Sequence, residues 1–127
     1  MALTFMILEK RYAVCRAEPG ATVQQSDTEE ELWSVTVSPE EVSVVLPEQA
    51  ADPSWKVEPG WRALRIKGPL DFELKGVLAA VSGTLSDADI SLFVISTYET
   101  DYVLVKEENL EKASSALIND GHEVVTF

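Results

Sequence analysis

The apolar residues of the second half of the chain, from Trp61 to Phe127, change their period several times, and this pattern constrains the fold more than any other feature. Short apolar, β-branched runs typical of strands alternate with two segments whose apolar residues recur at helical spacing. The predicted order is strand, helix, strand, strand, helix, strand. Two split β-α-β units in this order make a ferredoxin-like sandwich with both helices on one sheet face. We therefore predict an α+β fold in which residues 61–127 form a complete βαββαβ domain.

Two segments of this half are predicted to be helical. The first extends from Phe72 to Leu85, with Asp71 as a reasonable N-cap after the turn at residues 68–70. The second opens with Glu107 and Glu108, whose charges suit the positive end of the helix dipole. The predicted buried faces are Leu74, Val77, Leu78, Val81 and Leu85 in the first helix, and Leu110, Ala113 and Leu117 in the second. The predicted strands are Trp61–Lys67, Ile90–Ile95, Tyr102–Val105 and His122–Phe127.

The hexapeptide Ser96-Thr97-Tyr98-Glu99-Thr100-Asp101 connects the two middle strands of this domain. It carries more hydroxyl and carboxylate groups than a hairpin needs, since Asn-Gly or Asp-Gly is sufficient for a tight turn. Polar groups concentrated at the end of a strand pair indicate a candidate binding corner. A solvated turn, in which Asp101 bonds to its own backbone, is the alternative, and spacing alone favours it.

The first half, residues 1–60, is predicted to be mostly β. Its expected strands are Leu3–Leu8, Tyr12–Ala17, Leu32–Val37 and Val42–Leu46, with a turn at Glu9-Lys10-Arg11 and a hairpin connection at Ser38-Pro39-Glu40-Glu41. Residues 47–60 contain three prolines and Trp55, which predicts a semi-rigid linker laid over the surface. Residues 1–60 are thus expected to form a β-rich unit plus a Pro-rich connector, and residues 61–127 a second unit.

The charge balance excludes several classes of partner. Twenty-two acidic residues against ten basic ones give a formal net charge of −12, which would repel a phosphate backbone. No apolar run approaches the roughly 18 residues that a membrane span needs. The segment Met1–Leu8 is too short, and lacks the basic residues, for a signal peptide. We therefore expect a cytoplasmic protein that binds neither nucleic acid nor membrane.

Residues suited to catalysis or metal binding are few and scattered. The single cysteine, Cys15, lies in an apolar strand and is expected to be a core residue. His122 is the single histidine of the sequence. The glutamate runs at residues 29–31 and 107–108 have neither a His partner nor metal-ligand spacing. Phosphate-loop and nucleophile-elbow motifs are absent. We expect no enzyme activity, no metal and no cofactor. The three tryptophans, Trp33, Trp55 and Trp61, are expected to pack in the core or between domains, with a stacking patch as the alternative.

Three runs of residues 61–127 together resemble the small tandem ACT-domain proteins, whose eukaryotic relatives are the CASTOR-type cytosolic arginine sensors. These runs are Gly68-Pro69-Leu70-Asp71-Phe72, residues 76–79, and residues 90–105, in which the string Ser-Thr-Tyr-x-Thr-Asp-Tyr-x-Leu-Val is the most specific part. The resemblance covers nearly all of residues 61–127 and extends more loosely over the first half. It implies two ferredoxin-like ACT units, of which the first is degenerate and mostly β and the second is complete.

The resemblance also implies a ligand site. ACT domains are regulatory modules that bind amino acids at interfaces between paired domains. By motif match, Ser91 would contact a ligand from one unit, while Thr97, Tyr98 and Asp101 would line the pocket from another, with Asp101 facing a cationic group. The turn formed by Gly68, Pro69, Leu70 and Asp71 would offer backbone N–H groups to a carboxylate, as helix N-termini do.

Two positions depart from the sensors, which have a glycine at the position of Asp71 and an acidic residue at that of Leu74. The implied ligand is therefore a free amino acid or a similar zwitterion, not arginine in particular. Because only one complete unit is present, the resemblance implies a homodimer with two equivalent sites. We predict a regulatory small-molecule-binding protein with a possible regulated protein partner. The alternative is a protein-interaction module of the same fold that binds no small ligand.

Overall fold

The structure, a computed structural model, describes residues 2–24, 32–68 and 76–126. The chain divides into two compact units, one made of Met1–Glu9 and Arg62–Phe127 and the other of Lys10–Trp61. We call the first the α/β unit and the second the β unit. The predicted division into residues 1–60 and 61–127 differs from this at the N-terminus, because the first nine residues group with the second half of the chain.

The elements in chain order are β1 (Thr4–Ala17), β2 (Ser34–Val37), β3 (Val42–Pro47), β4 (Lys56–Ile66), α1 (Val77–Asp87), β5 (Phe93–Ser96), β6 (Asp101–Lys106), α2 (Leu110–Asn119) and β7 (Glu123–Thr126), with 3₁₀ turns at Glu48–Ala50 and Glu107–Asn109. None of the helices in the described ranges is long and apolar enough to span a membrane.

Strand β1 runs without interruption from Thr4 to Ala17. The turn predicted at Glu9-Lys10-Arg11 is therefore wrong. These residues are extended, with Glu9 and Arg11 exposed and Lys10 partly buried between them. They include none of the Gly, Pro, Asn or Asp residues that favour a turn, so the strand continues through these three charged residues.

The sheet of the α/β unit has the order β7-β1-β4-β6-β5. The start of β1 pairs in parallel with β7, from Thr4 opposite Glu123 to Ile7 opposite Thr126. Strands β5 and β6 pair antiparallel, from Phe93 opposite Leu104 to Ser96 opposite Asp101. The predicted α+β, ferredoxin-like class is confirmed. Because β1 lies between β7 and β4, residues 61–127 do not by themselves contain the whole sheet.

Both helices pack on one face of this sheet. The shared core consists of buried side chains from the strands and from the helices: Phe5, Leu64, Ile66, Val103 and Val105 on the sheet, and Val77, Val81, Leu85, Ala113 and Leu117 on the helices. The strand residues alternate along β4 and β6, since side chains two apart in a strand share a face. The predicted buried face of the second helix is thus confirmed at Ala113 and Leu117.

Helix α1 begins at Val77, so the predicted helix does not run through Gly76, and its predicted residues 72–75 lie outside the described residues. Gly76 precedes it with φ +82°, a left-handed conformation that an α-helix running through this residue would not allow. Its buried residues are Val77, Val81 and Leu85, so three of the predicted buried positions are confirmed. Leu78, which was also predicted to be buried, is 40% exposed. The predicted positions Asp71 and Leu74 lie outside the described residues.

The β unit contains the confirmed hairpin of β2 and β3, in which Val37 pairs with Val42. The Ser38 hydroxyl accepts a hydrogen bond from the Glu41 N–H at 3.2 Å, and the Ser38 N–H donates to the Glu41 carbonyl at 3.0 Å. Strand β3 then pairs with the end of β1, from Tyr12 opposite Pro47 to Ala17 opposite Val42. The predicted linker is wrong over residues 56–60, which are the first residues of β4.

Candidate functional site

The connection between β5 and β6 is a four-residue turn, from Thr97 to Thr100, closed by its own hydrogen bonds. The Thr97 N–H donates to the Thr100 carbonyl at 2.8 Å. The Thr97 hydroxyl donates to the same carbonyl at 3.1 Å and accepts a bond from the Thr100 N–H at 3.2 Å. A threonine is suited to this place because one hydroxyl both donates and accepts. Thr97, a predicted ligand residue, thus uses its hydroxyl to shape the turn.

Thr100 attaches this turn to strand β4. Its side chain is 5% exposed, and its hydroxyl donates to the Ile66 carbonyl at 2.5 Å. Ile66 is the last residue of β4, and Gly68 follows it two positions later. The predicted site residues at the turn and at Gly68 therefore lie at the same end of the sheet.

Two predicted ligand residues in and next to the turn, Tyr98 and Asp101, differ in their solvent exposure. Tyr98 is 80% exposed at the tip of the turn. Asp101, the first residue of β6, is partly buried opposite Ser96. Across residues 2–24, 32–68 and 76–126, no side chain forms a hydrogen bond or an ion pair with the Asp101 carboxylate. A carboxylate in this state can accept bonds from an ammonium or guanidinium group.

Ser91 lies at the other end of strand β5, two residues before its start, and is exposed. Five residues, Leu92 and the four of β5, separate it from Thr97, and the four strand residues alone span about 13 Å at about 3.3 Å each. Within one α/β unit, therefore, Ser91 and the turn do not face a common small ligand.

The remaining predicted ligand residues precede α1. Gly68 is partly buried just after β4. Pro69, Leu70 and Asp71 lie outside the described residues. Because α1 begins at Val77, the N–H groups at its N-terminus come five residues or more after the predicted Asp71 cap.

Two cavities in the described ranges are lined by none of the predicted ligand residues. One, of about 310 Å³, lies in the α/β unit at the C-terminal ends of both helices, against Thr84, Asp87 and Asp120. The other, of about 250 Å³, lies in the β unit, against Trp33, Asp52 and Trp55. The prediction for the tryptophans is packing in the core or between domains, with a stacking patch as the alternative, and it names no cavity. The signal that points to this cavity is the turn-forming string Asp52-Pro53-Ser54-Trp55, which places a carboxylate and an indole three residues apart.

Ser54 determines the electrostatics of Asp52. The backbone N–H and the hydroxyl of Ser54 each donate to Asp52 Oδ1 at 2.8 Å. These bonds, the backbone one more strongly, hold the pKa of the carboxyl below its ordinary value. Hydrogen bonds to a carboxylate favour its charged form, so Asp52 is ionised at neutral pH.

The chemically reactive residues outside the site are internal. Cys15 is buried, as predicted, and burial raises the pKa of its thiol. His122 Nδ1 accepts a hydrogen bond from the Leu3 N–H at 3.0 Å, and its Nε2 lies 3.6 Å from Asp120 Oδ2. The Asp120 oxygen in turn accepts a bond from the Thr84 hydroxyl at 2.8 Å. In the part of the chain that the structure describes, no three His, Cys, Asp or Glu side chains are grouped so that they could hold a metal ion.

A family model of the ACT domain matches residues 56–119 of this chain. Among curated proteins, the cytosolic arginine sensor for mTORC1 subunit 1 of Homo sapiens is 45% identical over 51 residues. That match covers 39% of this chain and 16% of the sensor, so the chain corresponds to a small part of this relative's length.

Solved structures match over nearly the whole chain. Protein Atu0741 from Agrobacterium tumefaciens is 28% identical, with a TM-score of 0.89, over 100% of this chain and 95% of that one. Aspartate kinase from Clostridium acetobutylicum, described as an allosteric enzyme, is 14% identical with a TM-score of 0.69, over 94% of this chain and 35% of that one. The second likeness concerns the fold alone.

Proposed function

This chain belongs to the ACT-domain family, and we propose that it is a cytoplasmic regulatory protein, not an enzyme, that binds a free amino acid or a similar zwitterion between paired ACT units. One similarity supports a regulatory role, since a relative 45% identical over 51 residues is named as an arginine sensor. Residues 62–127 with the start of β1 would be the complete unit, and the β unit a degenerate first one.

The observation that carries the proposal is the state of the β5–β6 turn. Three hydrogen bonds between Thr97 and Thr100 close the turn, and a fourth, from the Thr100 hydroxyl to the Ile66 carbonyl, joins it to β4. The Asp101 carboxylate lies beside this rigid turn and is available to a cation. Because these bonds fix the backbone next to Asp101, only the Asp101 side chain has to be ordered when a ligand ammonium binds. Gly68, at the same end of the sheet, would provide backbone groups for the ligand carboxylate.

The separation of Ser91 from the turn supports a homodimer. The four residues of β5, which lie between Ser91 and Thr97, alone span about 13 Å, more than a compact amino acid bridges. The two can line one ligand only if they belong to different copies of the chain. A two-fold symmetric pair would then form two equivalent sites.

Such a ligand would act by favouring one arrangement of the paired units. A ligand shifts an equilibrium between two arrangements only through its different affinity for each. A site that is complete only when two copies meet has this property, because the ligand contacts both copies in one arrangement only. A regulated protein partner would bind one of the two arrangements of the paired units more tightly than the other.

The test is thermal unfolding of the purified chain against each of the twenty amino acids at millimolar concentration. A ligand at a hundred times its dissociation constant adds about 2.7 kcal/mol to the free energy of unfolding. This corresponds to a rise in melting temperature of roughly 5 to 10 °C. We expect one amino acid, or one group of related ones, to give such a rise.

The matched variants are Asp101→Asn and Glu99→Gln, which each remove one negative charge, the first at the start of β6 and the second in the adjoining turn. Asp101→Asn should abolish the rise, and Glu99→Gln should leave it unchanged. Sedimentation of the chain with and without the responding amino acid should show a dimer that the ligand favours. A rise that persists in Asp101→Asn would contradict the assignment of the site.

A second function, that of a protein-interaction module without a small ligand, is favoured by Tyr98. A tyrosine 80% exposed at the tip of a rigid turn is the kind of aromatic anchor found in protein interfaces. If no amino acid changes the melting temperature, while Tyr98→Ala abolishes capture of a partner, this second function replaces the first.

A further inference from the structure

The β-unit cavity combines two indole rings with a carboxylate. Trp33 precedes β2, and Trp55 precedes β4, yet both line the same cavity of about 250 Å³. Asp52 also lines it. All its lining residues belong to the β unit, so the cavity is separate from the amino-acid site proposed above.

The two indole rings are held in place by the core of the β unit. Trp33 and Trp55 are partly buried and pack against a cluster that includes Cys15, Val44 and Leu46. Leu46 is fully buried and also lines the cavity, which therefore has an apolar base. Aromatic side chains anchored in this way present fixed surfaces to a ligand, so binding would not require their ordering.

The carboxylate is also fixed. The backbone N–H of Trp55 donates to the backbone carbonyl of Asp52 at 3.1 Å. This bond closes the turn and holds the acid and the indole on one short segment. Both hydrogen bonds from Ser54 go to Asp52 Oδ1. The other oxygen, Oδ2, accepts no hydrogen bond from the residues that the structure describes. Asp52 is exposed, so this charged oxygen lies at the rim of the cavity.

We propose that this cavity binds a small methylated ammonium cation between Trp33 and Trp55, with Asp52 as its counter-charge. Aromatic faces attract such cations, and quaternary ammonium ligands are bound in proteins by cages of aromatic rings. The cation needs no hydrogen-bond acceptor, so the two indoles, Leu46 and the Asp52 carboxylate are sufficient to hold it. The rest of the lining consists of Thr22, Val23, Gln24 and Ala50. A volume of about 250 Å³ is below the usual range for drug-sized ligands and fits a group of a few heavy atoms.

The test uses choline as the probe and 3,3-dimethyl-1-butanol, which has the same shape without the charge, as its control. The indole N–H resonances of the intact, ¹⁵N-labelled chain are followed by NMR at constant ionic strength. Choline should shift the resonances of Trp33 and Trp55 in a saturable way. Trp61, which does not line the cavity, should not shift. The uncharged control should bind at least tenfold more weakly.

Two matched variants separate the local charge from the acidity of the whole chain. Asp52→Asn keeps an oxygen for the Ser54 bonds and removes the charge, so choline should bind roughly three- to tenfold more weakly. Asp87→Asn, which removes an exposed acid of the α/β unit, should leave the affinity unchanged. A comparison of choline with N-acetyl-trimethyl-lysine amide then distinguishes a free metabolite from a methylated lysine of a protein.

Three results would overturn the proposal. The first is the absence of a saturable shift at Trp33 and Trp55. The second is equal binding of choline and its uncharged analogue, which would indicate an apolar pocket only. The third is an equal loss of affinity in Asp52→Asn and Asp87→Asn, which would indicate attraction to the net charge of −12 alone.

Discussion

Thr100 is the residue that joins the candidate ligand turn to the rest of the sheet. Replacement by valine keeps the shape and removes the bond to the Ile66 carbonyl. Because Thr100 is 5% exposed, water does not easily replace that bond, and we expect the free energy of unfolding to fall by about 1–3 kcal/mol. Thr100→Ser keeps the hydroxyl and should lose much less. Urea unfolding with an unchanged m-value measures the difference, and equal losses in both variants would contradict this role.

Asp52 should contribute stability that depends on pH. Its folded pKa is lowered by the Ser54 bonds, so the folded state favours the charged carboxylate more than the unfolded state does. This contribution is present above the ordinary pKa of an aspartate and is lost as pH falls through the lowered one. In urea unfolding, wild type should therefore exceed Asp52→Asn at neutral pH, and the gap should close in that acid range. A gap that stays constant into acid would show that the carboxylate charge has no part in it.

At the scale of elements, the His122 side chain, just before β7, bonds the residue just before β1, where these two strands begin to pair. Nδ1 accepts the Leu3 N–H, and the ring meets Phe5 edge to face with centroids 5.6 Å apart. His122→Phe fills the space but leaves the Leu3 N–H without its acceptor, so exchange of this amide with solvent should accelerate at least tenfold. His122→Asn places an oxygen near the position of Nδ1 and should retain most of the protection. Equal exchange rates in the two variants would rule out the hydrogen bond as the cause.

At the scale of the whole molecule, the α/β unit needs both ends of the chain. Phe5 is fully buried in its core, between strands that come fifty or more residues later. A fragment of residues 61–127 lacks this side chain and leaves the facing edges of β4 and β7 unpaired. We expect it to unfold without the cooperative transition of the full chain, as followed by circular dichroism.

The matched comparison joins residues 1–9 to residues 62–127 through a flexible linker. This chain restores β1 to the sheet and should recover cooperative unfolding. Phe5→Ala in the full chain should cost about 3–5 kcal/mol, as for other buried aromatic residues. Cooperative unfolding of residues 61–127 alone, with the stability of the joined chain, would show that β1 is dispensable.

The sequence by itself determined the type and order of the elements in the second half. Hydrophobic period reports local burial, so Leu110, Ala113 and Leu117 predicted the face of α2, and the apolar runs on both sides of Ser96–Asp101 predicted β5 and β6. Turn chemistry likewise located the hairpin at Ser38, because its hydroxyl and the following proline favour a turn locally.

Only the tertiary structure decided which distant segments meet. No local signal shows that Thr4–Ile7 inserts between β4 and β7, or that Thr100 bonds to Ile66, because those contacts are long-range and depend on packing. The start of α1 was missed because the apolar period continues through Gly76, and its left-handed backbone is a conformational choice that hydropathy does not report. The cavity of Trp33 and Trp55 was missed because it depends on long-range packing. The two indoles are twenty-two residues apart in sequence and become neighbours only when the sheet beneath them has formed.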